Sequence, residues 1–195
     1  MTPRAFVTDP RVTIEYPPWV DEVVDWTRPY RTDDERMRLA IRVARENVER
    51  GDGGPFGAVI VERASGRLVS VGMNSVLRLR SSTLHAEIIA FMMAQAIRGS
   101  YTLQRAGLAE HALHTSCEPC AMCLGAVLWS GVRRVVSGAT REDALRLRFE
   151  EGPVFPESYR YLEERGVELV HGVRREDARE VLETYLARGG VVYNG

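Results

Sequence analysis

Two short motifs constrain this chain more than any other part of its 195 residues. The first is His85-Ala86-Glu87, and the second is Pro119 followed by Cys120 and Cys123. Each motif stands at the beginning of a predicted helix, and a spacing of three places both cysteines on one helix face. One imidazole and two thiolates suit a tetrahedral zinc ion whose fourth position is left to water. The sequence therefore predicts one Zn²⁺ per subunit, held by His85, Cys120 and Cys123.

The residue two places after the histidine predicts a reaction for this metal site. Zinc lowers the pKa of a bound water toward neutrality and makes a hydroxide nucleophile available. Glu87 is placed to carry a proton from that water to the substrate and on to departing ammonia. This pair of motifs is the known signature of the zinc deaminases. We therefore predict that Glu87 is a catalytic residue.

Two other interpretations of the cysteines stay open. Cys117, Cys120 and Cys123 form a C-x-x-C-x-x-C pattern, which could complete a structural zinc site with His85 or hold an iron–sulfur cluster. A structural zinc site does not require a carboxyl group at the position of Glu87. An iron–sulfur cluster usually needs a fourth cysteine, which the chain lacks. We therefore favour the catalytic zinc site, and we interpret Cys117 as a small buried residue.

The chain resembles the cytidine deaminase-like superfamily, and within it the guanine deaminase and nucleobase deaminase branch. The resemblance extends from about residue 33 to the C-terminus, and the first 30 residues contribute nothing to it. It rests on several motifs in order: Gly53-Gly54-Pro55-Phe56-Gly57-Ala58, Asn74, His85-Ala86-Glu87, Thr115-Ser116-Cys117-Glu118-Pro119-Cys120, Phe149-Glu150-Glu151-Gly152-Pro153 and the ending Gly190-Val191-Val192-Tyr193-Asn194.

The resemblance implies which residues bind the substrate. It implies a second catalytic role for Glu151, whose carboxylate would accept hydrogen bonds from ring and amino N–H groups and assist proton transfer. Glu150 is the alternative at this place, and both glutamates could simply be solvated. The substrate-binding residues implied in this way are Phe56, Ala58, Asn74, Ala86, Glu151 and Tyr193. From the residues alone, Phe56 could instead belong to the core and Asn74 could close a turn.

Composition excludes several other functions. All 26 basic residues are arginine, so lysine Schiff bases and a Walker-type phosphate lysine are impossible. The net charge of −1 predicts no general attraction to nucleic acid or to a membrane surface. Three cysteines do not make a disulfide framework, and no apolar run approaches the ~20 residues that span a bilayer. With no secretory signal at the N-terminus, we expect a cytoplasmic protein.

Alternating helices and strands predict an α/β fold whose sheet is covered on both faces. The predicted helices begin at a Thr32–Glu35 capping box, after Ser82 or Thr83, at Pro119, at Arg141 and at Arg174. The helix at Arg141 is expected to run to Phe149. The predicted strands are 58–61, 67–73, 111–115, 133–136 and 167–170. The resemblance implies a three-layer α-β-α, cytidine deaminase-like fold around a mixed sheet of about five strands.

The chain is expected to form one domain. Residues 1–31 read as an irregular, proline-rich arm that Trp19 and Trp26 attach to the body, and residues 32–195 as the deaminase domain. The tail at 189–195 is apolar and aromatic, and relatives use this segment as a lid, sometimes over the partner's site in a swapped homodimer. We therefore predict that Tyr193 and Asn194 close the pocket. A terminal strand packed only for stability is the alternative.

The predicted function is zinc-dependent hydrolytic deamination of a free nucleobase, with guanine as the preferred substrate and related rings such as s-triazines as further ones. Deamination of cytosine or of modified pyrimidine-like bases is one alternative within the same chemistry. A tRNA adenosine deaminase is another, although that branch needs a basic surface for phosphates, and here the composition is balanced and the longest basic clusters are modest. A non-catalytic, zinc-stabilised binding module is the alternative of a different class.

Overall fold

A five-stranded mixed sheet forms the centre of the fold, in a computed structural model that describes residues 12–193. The strands lie in the order β2-β1-β3-β4-β5, where β1 is antiparallel to both of its neighbours and β3, β4 and β5 are parallel. Their bounds are Gly57–Glu62 (β1), Leu68–Met73 (β2), His111–Cys117 (β3), Arg134–Ala139 (β4) and Glu168–Val170 (β5). The predicted mixed sheet is confirmed.

Helices cover both faces of this sheet, which gives the predicted three-layer α-β-α arrangement. Helices α2 and α8 pack together on one face, and α4, α5 and α7 belong to the other. The helices of the described residues are Val20–Val23 (α1), Asp33–Glu49 (α2), Val76–Leu79 (α3), Ala86–Arg98 (α4), Ala121–Ser130 (α5), Arg141–Arg146 (α6), Pro156–Glu164 (α7) and Arg175–Ala187 (α8).

Helix α2 begins at the predicted capping box. The Thr32 hydroxyl accepts a hydrogen bond from the Glu35 backbone N–H, and the Glu35 carboxylate accepts one from the Thr32 backbone N–H. Each of these bonds gives a partner to a backbone group that the first turn leaves unpaired. The apolar face of the helix, which includes Met37, Ile41 and Ala44, is buried against the sheet.

The predicted caps of α4 and α5 are wrong. Neither Ser82 nor Thr83 caps α4, because the Thr83 hydroxyl pairs with that of Ser81 and the N-cap residue is His85. Pro119 is not the first residue of α5, because the chain stays extended through Cys120, which is the N-cap. Both helices therefore begin one residue after a predicted metal ligand.

The predicted helix from Arg141 to Phe149 ends early, and α7 was not predicted. Helix α6 stops at Arg146, since Arg148 adopts a left-handed backbone (φ 68°) that directs Phe149 into the core. Helix α7 begins with Pro156 in its first turn. A proline is tolerated there because the backbone N–H that it lacks would have no partner within the helix.

The described part of the N-terminal arm packs against the body. Trp19 is buried and its Nε1–H donates to the Asp52 carboxylate (2.5 Å), while the Trp26 ring stacks on that of Tyr16. The arm is not wholly irregular, because it contains the short α1. Its boundary at residue 31 stays a prediction, and residues 1–11 lie outside the described range. Among residues 12–193, no helix is both long enough and apolar enough to cross a bilayer.

Candidate active site

The structure brings the three predicted metal ligands together where α4 and α5 begin. His85 Nδ1 lies 3.5 Å from Cys120 Sγ and 3.7 Å from Cys123 Sγ, and the three ligand atoms all lie within 4.8 Å of one another. A tetrahedral ion with bonds of about 2.0–2.3 Å separates its ligands by about 3.3–3.8 Å. The geometry of the three side chains therefore fits zinc.

The two thiols differ strongly in acidity. A hydrogen bond from Cys123, together with the neighbouring His85, lowers the pKa of Cys120 to about 4. That same pairing, together with burial, raises the pKa of Cys123. Cys120 is consequently a thiolate at neutral pH, which is the form that binds metal.

Glu87 lies beside the metal ligands on the first turn of α4. Its side chain is buried, and it accepts hydrogen bonds from the Thr115 hydroxyl (3.1 Å) and from Cys123 Sγ (3.5 Å). Burial, reinforced by the Cys120 thiolate, raises the pKa of Glu87 above the ordinary value of a glutamate. A carboxyl group in this environment is suited to accepting and returning a proton.

Of the two glutamates that follow α6, only Glu151 shares a cavity with the predicted metal ligands. Glu151 is buried and lines the same cavity as His85, Glu87 and Cys120, whereas Glu150 is exposed and accepts a hydrogen bond from the Gly152 backbone N–H. Burial and the charge of Cys120 raise the pKa of Glu151 to about 8. Glu151 is therefore the glutamate that can reach a molecule in this cavity, and its role in binding and catalysis stays a prediction.

Aromatic rings complete the wall of the cavity. Phe56 and Tyr193 line it, and the Phe149 ring lies between them at centroid distances of 5.1 and 5.7 Å. Tyr193 lies so close to Gly54 that a Cβ at that glycine would be 2.4 Å from its hydroxyl. The remaining space is about 20 Å³, room for roughly one water molecule.

Asn74 is buried at the end of β2, next to the loop that carries Phe56. Its Oδ1 accepts a hydrogen bond from the Val76 N–H (3.2 Å), as expected of an asparagine that closes a turn. Its Nδ2 has no hydrogen-bond partner among the described residues. The amide therefore stabilises the turn and retains a buried donor, although it is not among the side chains that line the cavity.

Ala58 and Ala86 lie deeper than the other predicted substrate-binding residues. Ala58 is fully buried in β1, paired with Gly72 on one side and Thr115 on the other. Ala86 is the fully buried first residue of α4, where the backbone N–H has no partner within the helix. Their roles in substrate binding stay predictions, and Asn194 lies outside the described residues.

Two residues near the site were missed by sequence reasoning. Asn47 is fully buried, and its Nδ2 donates to the carbonyls of Gly54 (2.8 Å) and Asn74 (2.9 Å). An asparagine on the apolar face of α2 was the available signal. Glu118 also lines the cavity, and its carboxylate accepts a hydrogen bond from the Arg141 backbone N–H. Cys117 is buried, and its Sγ lies 3.7 Å from the Thr140 carbonyl.

Comparisons with known proteins agree with this geometry. Residues 30–139 match the family described as the cytidine and deoxycytidylate deaminase zinc-binding region. A guanine deaminase of Bacillus subtilis is 37% identical over 131 residues, which cover 67% of this chain and 80% of the relative. A tRNA-specific adenosine deaminase of Haemophilus influenzae is 31% identical over 158 residues, covering 80% of this chain and 84% of the relative.

Solved structures extend the similarity over nearly the whole chain. A structure of guanine deaminase from Nitrosomonas europaea has a TM-score of 0.86 at 38% identity and covers 91% of this chain and 97% of its own. A structure in complex with 2,6-diaminopurine has a TM-score of 0.88 at 39% identity, with coverage of 94% and 97%.

The family match spans more than half of the chain and includes both motifs from which the metal site was predicted. The matching region is a zinc-binding one, and the three side chains that it brings together fit that ion. The chain therefore belongs to the cytidine and deoxycytidylate deaminase family of zinc-dependent enzymes and is a hydrolytic deaminase.

Proposed function

We propose that this enzyme converts guanine and water to xanthine and ammonia. The observation that carries the proposal is that one cavity is lined by residues of the metal-ligand cluster and by two buried carboxyl groups, Glu87 and Glu151. Guanine deaminases are among the relatives of this chain, at 37% and 38% identity. The substrate is a purine base small enough to be enclosed by Phe56 and Tyr193.

Glu87 performs the proton transfers. Zinc held by His85, Cys120 and Cys123 supplies an activated water near neutral pH. Glu87 takes a proton from the attacking water and delivers it to the exocyclic amino group of the base. The water oxygen first adds to the amino-bearing carbon, which leaves one proton on Glu87 and negative charge on the ring. Once Glu87 has given that proton to the amino group, the C–N bond breaks, ammonia leaves and the ring double bond forms again. The product is the hydroxy tautomer of xanthine, so atoms and charge balance. The hydrogen bond from Thr115 fixes the Glu87 carboxyl in the geometry that both transfers need.

Glu151 and Asn74 orient the base. A guanine edge presents two adjacent N–H donors, and Glu151 matches such a pair of donors once it has lost the proton that a pKa of about 8 leaves on it at neutral pH. Asn74 offers its buried Nδ2, which has no partner among residues 12–193, to an acceptor on the base. With Phe56 against the ring, these contacts distinguish an aminated purine from a ring that lacks the N–H pair.

The tail acts as a lid over the base. Because the space beside the metal ligands holds about one water, a purine can enter only if part of the wall moves, and we propose that this part is Tyr193. We expect Tyr193→Ala to raise KM for guanine at least several-fold, while Tyr193→Phe, which keeps the ring, retains most of the activity. Equal KM values for the wild type and Tyr193→Ala would contradict the lid.

The enzyme also forms a homodimer through the outer face of α5. No residue from 121 to 130 is charged, in a chain with 27% charged residues, yet Trp129 is 81% exposed. At a two-fold axis each residue meets its own copy, so an uncharged face avoids self-repulsion. A groove of about 380 Å³ between α5 and α7, lined in part by Leu128 and Tyr161, lies beside this face and can receive the tryptophan of a second copy.

Exchange of tails between the two subunits is the alternative to closure by each chain's own Tyr193.

Release of ammonia from candidate substrates tests the function. Zinc-loaded protein should be assayed with guanine, guanosine, cytosine, adenine, an aminated triazine and a tRNA anticodon stem. We expect the highest kcat/KM with guanine and little turnover of guanosine, because a ribose would collide with the tail. Preferential turnover of cytosine or of the tRNA stem would assign the enzyme to another branch. Absence of turnover with zinc bound would favour a binding module.

A further inference from the structure

The loop that carries Glu151 has an unusual backbone and is held from outside. Arg148 and Gly152, on either side of Glu151, both have φ 68°, the left-handed region that favours glycine. The Glu151 carbonyl accepts a hydrogen bond from the Ala121 N–H (2.9 Å), which ties the loop to the start of α5. A loop with this geometry needs such external contacts to keep a single conformation.

Arg141, the first residue of α6, supplies a side-chain contact to this loop. Its guanidinium donates to the Gly152 carbonyl at 3.2 Å, next to the peptide group that follows Glu151. The same guanidinium opposes the effect of burial on the Glu151 carboxyl, since its positive charge lowers the pKa of that group. Arg141 therefore contacts the loop directly and also acts on the Glu151 carboxyl through its positive charge.

Glu118 links Arg141 to the metal site. One carboxylate oxygen of Glu118 accepts from the Arg141 backbone N–H (2.9 Å), and the other lies 2.7 Å from His171 Nδ1. Glu118 stands two residues before the metal ligand Cys120. A continuous series of bonds thus runs from the metal-binding turn through Glu118 and Arg141 to the loop of Glu151.

The geometry points to Arg141 as a positioning residue that holds Glu151 at a fixed place relative to the metal ligands. It acts through the Gly152 carbonyl and not through contact with the base, while Glu118 holds the backbone N–H of Arg141 at the start of α6. The inference rests on the proposed role of Glu151 in binding guanine. A misplacement of the order of 1 Å in such a group lowers turnover by up to about 100-fold.

A double-mutant cycle tests this. Arg141→Met, Glu151→Gln and the double variant are compared with the wild type by kcat/KM for guanine and by the Kd of the product xanthine, which needs no turnover. We expect Arg141→Met to lower kcat/KM about 10- to 100-fold, with one zinc per chain and an unchanged Tm. Arg141→Lys should recover part of the loss. The double variant should be no worse than Glu151→Gln, because residues that act through one another are not additive.

Arg146→Met is the matched control, an exposed arginine on the same helix, and should behave as the wild type. Multiplicative losses in the double variant, or equal behaviour of Arg141→Met and Arg146→Met, would overturn the positioning role while leaving the proposed function intact. A zinc-loaded wild type that neither releases ammonia from a base nor binds xanthine would overturn the proposed function and this inference together.

Discussion

The surroundings of Glu87 suit the proton transfers that we propose for this side chain. The carboxyl is buried beside the metal ligands, its pKa is raised by burial, and a hydroxyl and a thiol hold its two oxygens. Its position near the predicted metal ligands was predictable from the spacing to His85. Its hydrogen bond from Thr115 was not, because that residue comes from β3, and only the folded sheet places it there.

Replacing the carboxyl of Glu87 by an amide removes the proton carrier with little change in shape. We expect Glu87→Gln to lower kcat for guanine by about 10²- to 10⁴-fold, the usual contribution of general acid–base catalysis. The zinc content should stay at one per chain by atomic absorption. Glu142→Gln, an exposed glutamate on α6, is the control. Ammonia release by Glu87→Gln at the wild-type rate would exclude the mechanism.

The adjacent glutamates Glu150 and Glu151 provide a second test at this scale. Glu151→Gln offers a donor where the base also has a donor, so we expect kcat/KM for guanine to fall by about 10- to 100-fold, equivalent to roughly 1–3 kcal/mol. Glu150→Gln keeps an oxygen that can accept from the Gly152 N–H and should stay within about twofold of the wild type. Steady-state kinetics of the two variants distinguish the positions, and the opposite order would assign the role to Glu150.

Most elements were predictable because hydrophobic periodicity and turn residues specify them locally. Helix α2 follows from its capping box, and β1 follows from a short apolar run. The starts of α4 and α5 were predicted wrongly because hydroxyl caps and an N-terminal proline are frequent, whereas here the extended residues before each helix are metal ligands. Helix α7 was missed because it is short, with nine residues, and only Leu162 among them is buried, so few apolar positions mark it in the sequence.

The start of α6 is stabilised by an ion pair that titrates. Asp143 closes the capping box with Thr140 and accepts two hydrogen bonds from Arg175 on α8, at 2.8 and 2.9 Å. These contacts lower the pKa of Asp143, and the hydrogen bonds from Arg175 have the largest effect. Because the folded pKa lies below the unfolded value of about 3.9, the unfolded chain binds this proton more tightly. The pair stabilises the fold above about pH 4 and loses its effect as the pH falls through the folded pKa.

Asp143→Asn therefore has a pH-dependent cost. We expect it to lower the free energy of unfolding by roughly 1–2 kcal/mol at pH 7, a modest value because Arg175 is partly exposed. The difference from the wild type should shrink as the pH approaches 3. Urea unfolding at pH 7, 5 and 3 measures it, and Glu142→Gln serves again as the exposed control. A difference that grows toward acid pH would contradict the assigned sign.

At the scale of the whole molecule, a charge introduced on the uncharged face of α5 tests the proposed homodimer. We expect Trp129→Glu to shift the protein from dimer to monomer at micromolar concentration in sedimentation velocity, because each copy would place a carboxylate opposite its own image. Tyr101→Glu is the matched control, since Tyr101 is 89% exposed and lies on the loop after α4. A wild type that is monomeric, or a Tyr101→Glu variant that dissociates equally, would exclude this face as the interface.

The chemistry of the site was more predictable than its enclosure. The predicted metal ligands and the proposed proton carrier have short spacings within motifs, so sequence alone was enough to predict them. Asn47 and Arg141 act through backbone carbonyls of distant segments, and no local pattern indicates such contacts. The meeting of Phe56, Phe149 and Tyr193 likewise depends on three segments that only the complete fold brings together.

The two helices that begin at the metal ligands have an electrostatic consequence. Each helix carries a partial positive charge of about half a unit at its N-terminus, and the first turns of α4 and α5 both adjoin the same cavity. Two such dipole ends favour negative charge between them before any substrate arrives. Electron density that accumulates on the ring as water adds to the base is therefore stabilised by an orientation fixed during folding, with no rearrangement required in the transition state.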